Sequence, residues 1–438
     1  MVFKGNIEYL TENEISIRLR ATQQNPSVLP AESLYAIEHD TMDTTFRSMY
    51  QGLYIYLSAR KERRDLLLSQ RPPRFDESLD SMISRSEDDF TRIALKAKAA
   101  QDYFLLIGPP GTGKTSCALK KMVETFHADK DAQILLLSYT NRAVDEICKS
   151  LASIAPAVDF IRVGSELSCD EAYRGHLIEN ELSSCNRRSE VYERIRNCRI
   201  IVGTVAAISG KPELFRLKHF DVAIIDEATQ ILEPQLLGIL CARGEDGKDA
   251  IDKFVLIGDH KQLPAVVQQN TEQSAIYDES LLSIGLTNLK DSLFERLYRN
   301  CTATVHRSYD MLCRQGRMHP EVALFANRAF YGGRLIPVGL PHQIESSDTI
   351  CRLAFYPSVP EKAGASAKIN YSEARIVADL AVRIYEDHQA DFDESRTLGI
   401  ITPYRSQIAL IKKEIESLGI PALNRILVDT VERFQGSE

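Results

Sequence analysis

The sequence has no C-x-x-C pair, although it carries nine cysteines in 438 residues. Scattered single thiols exclude a zinc ribbon or an iron–sulfur clamp, and an odd count argues against a disulfide framework. Reduced thiols in a cytoplasmic setting are the expectation. No apolar run approaches the roughly 18 residues of a membrane-spanning helix, and the N-terminus lacks the layout of a secretory leader. A soluble, intracellular protein with no membrane partner is therefore expected. Positive charge is not in excess either: 53 Lys and Arg against 61 Asp and Glu give a net charge of −8 and a pI near 5.7. The molecule as a whole does not attract nucleic acid, so any such binding must come from a local groove. Internal repeats and low-complexity tracts are also missing.

What is present is enough apolar residue, 44%, to bury more than one core, which makes about two to three domains the usual expectation. The organising stretch is Gly108-Pro109-Pro110-Gly111-Thr112-Gly113-Lys114-Thr115, between an apolar run, Tyr103 to Ile107, and a helix-patterned segment opening at Ser116. Glycines at these spacings let several backbone N–H groups converge, and the positive end of the following helix adds to them, so phosphate oxygens are cradled there. Lys114 is expected to reach the β- and γ-phosphates of ATP, and the Thr115 hydroxyl to hold Mg²⁺.

Ahead of this loop, Val2 to Leu10 and Ile15 to Arg20 read as a hairpin that must join a larger sheet or lean on the rest of the chain. Pro26 and Pro30 mark a loop. Phe46, Tyr50, Leu53 and Leu57 fall on one helical face, and that helix is expected to continue through Lys61-Glu62-Arg63-Arg64, a solvated basic cluster, to Leu68 before Pro72 and Pro73. Beyond the loop, Gln133 to Tyr139 reads as a buried parallel strand ending at Thr140-Asn141. From about residue 165 to 198 the pattern turns polar and helical, a small insertion. Ile200 to Val202 resumes the sheet and ends near Thr204.

The second chemical centre is Asp221 to Gln230. Its apolar strand, Val222 to Ile225, delivers Asp226 and Glu227 to the carboxyl end, where ligands bind in such sheets. Asp226 suits the magnesium shell, and Glu227 suits orienting and deprotonating a water. Phe254 to Ile257 is a further strand, with Gly258-Asp259-His260-Lys261-Gln262-Leu263-Pro264 at its tip. The neutral amide of Gln262 suits a sensor of nucleotide state.

Taken in order, these stretches resemble the motifs of superfamily 1 helicases. Gln315 to Pro320 (Q-G-R-M-H-P), Thr402 to Gln407 and Val431 to Glu438 (V-E-R-F-Q-G-S-E) extend the resemblance. The wording is similar to the branch containing the nonsense-mediated-decay RNA helicase and the nuclease-helicase of Okazaki-fragment maturation. The resemblance implies an α/β fold of two RecA-like P-loop domains, at 91–298 and 299–438, with ATP between them. Residues 1–90 would be part of a β-barrel and a stalk helix. It implies 5′→3′ movement on single-stranded DNA or RNA. By motif, Lys114, Thr115, Asp226, Glu227 and Gln262 serve ATP, Arg317 reaches the γ-phosphate and Glu438 bonds the ribose. Thr140, Asn141, Thr204, Thr402 and Thr430 match positions near the nucleic-acid backbone, where short polar groups grip without reading bases.

Departures from the family pattern also shape the expectation. Thr91 stands where an adenine-reading glutamine is usual, and Gly316 where a ring normally precedes the arginine. The chain ends before the motif with a second arginine, so the second domain is expected to be incomplete. A C-terminal segment or a nuclease domain is expected on a longer or neighbouring chain. Slow hydrolysis with little strand separation would follow. The alternatives are a nucleoprotein-remodelling ATPase that does not unwind, and a nucleotide-binding scaffold.

Overall fold

The computed structural model describes residues 5–11, 13–19, 34–37, 44–267, 269–304, 306–344, 352–358 and 368–434. The loop at Pro26 and Pro30 and the ribose candidate Glu438 lie outside them. Strands β1 (Gly5–Leu10) and β2 (Ile15–Leu19) pair antiparallel around a turn closed by the Thr11 N–H on the Glu14 carbonyl, 2.8 Å. Among the described residues no third strand joins this hairpin, so the larger sheet expected for it is not seen.

The centre of the molecule is a parallel sheet of seven strands. They are β3 (Tyr103–Ile107), β4 (Ile134–Ser138), β5 (Phe160–Val163), β6 (Ile200–Thr204), β7 (Phe220–Ile225), β8 (Ile251–Gly258) and β9 (Tyr309–Met311), in spatial order β5-β6-β4-β7-β8-β3-β9. β3, β4 and β6 are buried at every residue, as expected where helices cover both faces and strands are apolar throughout. The two faces build two cores, one around Phe104, Leu106 and Leu136, the other around Leu105, Leu135 and Phe254. β9 lies past residue 298, the expected domain boundary, and still pairs with β3. The segment expected as a helical insertion holds short helices, the longest Arg188–Asn197.

Two parallel pairs follow, β10 (Arg314–Gln315) with β11 (Ile336–Pro337), and β12 (Gly399–Ile401) with β13 (Leu427–Asp429). Helices Tyr371–Asp387 and Arg405–Ser417 pack on the latter around Ala378, Ile400, Ile411 and Val428.

The expected stalk differs from its reading in two ways. The helix stops at Leu57 and a second one runs Lys61–Leu67. The Phe46, Tyr50, Leu53 and Leu57 face is exposed, while the face of Gly52, Ile55 and Tyr56 turns inward. The cause is close approach: a Cβ on Gly52 would lie 2.3 Å from the Pro234 carbonyl oxygen, and one on Gly238 would lie 3.0 Å from the Gly52 Cα. Helices cross tightly where glycine meets glycine, and this outweighs the larger side chains. In the basic cluster Arg63 is buried, not solvated, and donates to the Ile251 and Asp252 carbonyls at the start of β8.

Candidate nucleotide site

The phosphate loop leaves β3 at the carboxyl edge of the sheet, and its shape needs glycine. Gly111 and Gly113 have φ of +72° and +75°, a region that side-chain-bearing residues seldom enter. A Cβ on Gly108 would lie 2.0 Å from the Lys114 side chain. The chain then winds as a π-helical stretch, Lys114–Leu119, continued by the α-helix Lys120–His127. Thr112 is tied back to Pro109, hydroxyl to carbonyl at 2.7 Å. Pro110 completes the turn, and Ser116 is exposed on the helix beyond it.

Strand β7 brings its acids to this loop. The Thr115 hydroxyl donates to Asp226 Oδ2 at 2.5 Å, and Lys114 Nζ is 3.0 Å from Glu227 Oε1. Asp226 is 1% exposed; its other oxygen accepts the Glu227 N–H at 2.9 Å. Burial pushes the Asp226 carboxyl above the usual carboxylate range, and Glu227 adds to that push. At Lys114 burial pulls the other way, but the fields of Glu227 and Asp226 outweigh it and hold the ammonium above its ordinary value. Glu227 itself has φ +52° and ψ +38°. A non-glycine residue there costs about 1–3 kcal/mol, and the bend swings its carboxylate off the strand toward Lys114.

Sequence reasoning gave Gln262 a role and passed over Asp259. The structure makes Asp259 the anchor of that loop. Fully buried, it accepts the Gln262 side-chain amide at 2.8 Å, the Lys261 N–H at 3.0 Å and the Tyr331 hydroxyl at 2.7 Å. The motif wording already contained Asp259; no local pattern pointed to Tyr331, because the bond spans 72 residues.

Arg317 lies against the phosphate loop. A Cβ on Gly111 would sit 2.4 Å from the Arg317 Cβ, and the Gly316 N–H donates to the Gly111 carbonyl at 2.8 Å. Two buried glutamines hold this turn. Gln315 accepts the Arg317 and Met318 N–H groups at 3.1 and 2.8 Å, and Gln343 donates to the Gln315 and Met318 carbonyls, both at 3.0 Å. At Gly316 a Cβ would come within 3.3–3.4 Å of Leu340 and Val338. Thr91 is engaged elsewhere: its hydroxyl and its N–H both bond the Asp88 carboxylate that caps its own helix. An unforeseen ring, Phe90, lies beside the loop, 3.5 Å from a Cβ built on Gly113.

The remaining candidates sit at strand tips. Thr140 follows β4 and Thr204 ends the neighbouring β6, with Ser138 opposite Thr204 in register. Their hydroxyls accept helix N–H groups, from Ala143 at 3.2 Å and Ala207 at 3.1 Å. Asn141 is the first residue of the helix that Thr140 caps. Thr402 and Thr430 each follow a strand of the β12–β13 pair, and the Thr402 N–H reaches the Asp429 carbonyl at 3.1 Å. The first two therefore share one rim and the last two another.

A parallel sheet with a phosphate loop on β3 and an Asp-Glu pair on β7 defines a RecA-like P-loop nucleotide-binding protein. Family models described as AAA domains match residues 85–191 with 178–270, and 289–438. The chain is 27% identical to the DNA replication ATP-dependent helicase/nuclease DNA2 of Gallus gallus over 455 residues, covering 99% of this chain and 41% of that protein. It is 27% identical to JHS1 of Arabidopsis thaliana, of the same description, over all of this chain and 32% of that one. It is 22% identical to the DNA polymerase alpha-associated DNA helicase A of Saccharomyces cerevisiae over 99% of this chain and 72% of that one. The chain belongs to the superfamily 1 helicases, in the branch that includes the DNA2 helicase-nucleases. It spans about two fifths of the length of the DNA2 relatives it matches. Among the described residues no helix is long and apolar enough to cross a membrane.

Proposed function

We propose that this chain is the motor core of an ATP-dependent helicase or translocase acting on single-stranded nucleic acid, in the 5′→3′ sense its branch implies. One observation carries the reading: Lys114, Thr115, Asp226 and Glu227 meet at one rim of the sheet, with Arg317 packed on Gly111. The backbone N–H groups between Gly111 and Thr115, with Ser116 beside them, cradle the phosphates. Lys114 exchanges Glu227 for phosphate oxygen, which frees the Glu227 carboxylate to take a proton from the attacking water. Thr115 and Asp226 offer adjacent hard oxygen donors and would hold Mg²⁺, which when bound neutralises phosphate charge. Arg317 meets the γ-phosphate, Gln262 senses it and Glu438 serves the ribose.

Thr140, Asn141, Thr204, Thr402 and Thr430 contact the strand at its backbone, consistent with a grip that does not read sequence. The relatives' names attach a nuclease to the helicase, and a nuclease domain on a longer or neighbouring chain is the partner proposed here. A reducing, cytoplasm-like compartment is proposed too, supported by free cysteines throughout the described residues.

The test is strand displacement from duplexes bearing a 5′ or a 3′ single-stranded tail. Slow ATP-dependent release, confined to the 5′-tailed duplex, is expected. Release from the 3′-tailed duplex alone would reverse the polarity, and ATP turnover without any release would favour remodelling of nucleoprotein over unwinding.

A further inference from the structure

Tyr331 is the last residue of the helix Pro320–Tyr331, which begins three residues after Arg317. Its hydroxyl is inside the protein, the residue being 5% exposed, and it donates to Asp259 Oδ2 at 2.7 Å. The same oxygen accepts the Gln262 amide at 2.8 Å. One carboxylate oxygen thus joins the helix that carries the arginine turn to the loop that carries the nucleotide sensor. Both ends are held firmly. The helix closes on Gly332 and Gly333, with φ of +61° and +75°, and Asn327 clamps the following turn by two bonds of 2.9 Å to Leu335. On the other side the Asp259 partner oxygen holds the Lys261 N–H, and Asp259 belongs to the acidic field around Lys114. Burial, then the bond to Asp259, keeps the phenol protonated and so a donor.

We infer that Tyr331 is a positioning residue for the phosphate sensor: through Asp259 it sets where the Gln262 amide points, and it ties that direction to the position of Arg317. A hydrogen bond to a charged acceptor is strong enough to bias such a choice, and its loss leaves a buried acceptor short of one donor. With Tyr331 bonded, Asp259 shares its oxygen between two donors, so the Gln262 amide is held less tightly and can turn to a γ-phosphate. Without it, Asp259 competes for that amide undivided. Recognition of the third phosphate should suffer while recognition of the first two does not. The inference rests on the ATP reading above.

The test compares Mg-ADP with a Mg-bound non-hydrolysable ATP analogue, by calorimetry, in the parent chain, Tyr331→Phe, Gln262→Ala and the double variant. Tyr331→Phe keeps the ring and removes one oxygen. It is expected to leave ADP affinity within about twofold and to weaken the triphosphate analogue about fivefold to tenfold. The double variant should be no worse than Gln262→Ala, because both changes act through one amide. Asp259→Asn, which removes the charge that competes for the Gln262 amide, should bind the triphosphate analogue no worse than the parent relative to ADP, and a selective loss in it would overturn the inference. Equal weakening of both nucleotides would mark Tyr331 as merely structural and overturn the inference, as would an unchanged ratio or losses that multiply. A parent that binds neither nucleotide would overturn the ATP reading itself, and this inference with it.

Discussion

Glu227 is held in a left-handed backbone conformation with its carboxylate on Lys114; that residue-scale geometry separates binding from chemistry. Glu227→Gln preserves shape and a hydrogen-bonding oxygen but cannot accept a proton from water. Nucleotide binding should survive, while turnover falls by about 10²-fold or more; steady-state kinetics beside equilibrium binding would show whether both halves hold. The base of the nucleotide is a second residue-scale question. Thr91 is committed to Asp88, and Gly316 offers no ring, so affinity is expected to rest on phosphates and ribose. Competition by GTP against labelled ATP should show a preference below about 100-fold, or about 2.8 kcal/mol. A steeper preference would mean that other groups, with Phe90 the nearest ring, read adenine. That Lys114, Thr115, Asp226 and Glu227 should come together was legible in the sequence, because each sits within a short motif at the end of an apolar strand. Tyr331 was not, since its bond to Asp259 spans 72 residues.

At the scale of elements, the start of β3 is held by one buried acid. Asp102 accepts Arg71 through both oxygens at 2.9 Å, and Arg74 through its side chain at 3.0 and 3.1 Å and its N–H at 2.7 Å. Burial pushes the carboxyl up, but the bonds from Arg71 and Arg74 outweigh it and hold the group well below the usual carboxylate range. A depressed acid contributes stability that is fully present above its unfolded value near 3.9, and it is lost as pH falls through the lower folded value. Asp102→Asn should therefore cost about 2 kcal/mol at pH 7, a figure that allows for the exposure of Arg74. Urea unfolding at pH 7 would measure it, and the gap to the parent should close only below about pH 4. β3, β4, β6, β7 and β8 were legible because apolar runs of this length between turn residues have few other uses, whereas the short β5 and β9 were not read from the sequence. The helix at 44–57 was misjudged, since periodicity weighs large side chains and the contact is made by Gly52 and Gly238.

At the scale of the whole molecule, the motif order implied which strands carry the site, while their spatial order came only from the structure. β7 and β8 stand between β4 and β3, which brings Asp226 and Asp259 to the phosphate loop from different strands. β9, far along the chain, closes the edge beside β3 and leads directly into the Arg317 turn. Nucleotide chemistry and the second half of the chain thus meet at one place. The proposed motor activity needs that meeting, because the γ-phosphate must be felt by the element that moves. The most direct measurement is Mg²⁺-dependent ATP turnover by this chain with and without single-stranded DNA and single-stranded RNA, alongside Glu227→Gln. The account predicts turnover that single strands raise by about tenfold or more, equivalent to about 1.4 kcal/mol off the barrier, and that the variant abolishes. Turnover indifferent to both nucleic acids, or equal in the variant, would contradict it.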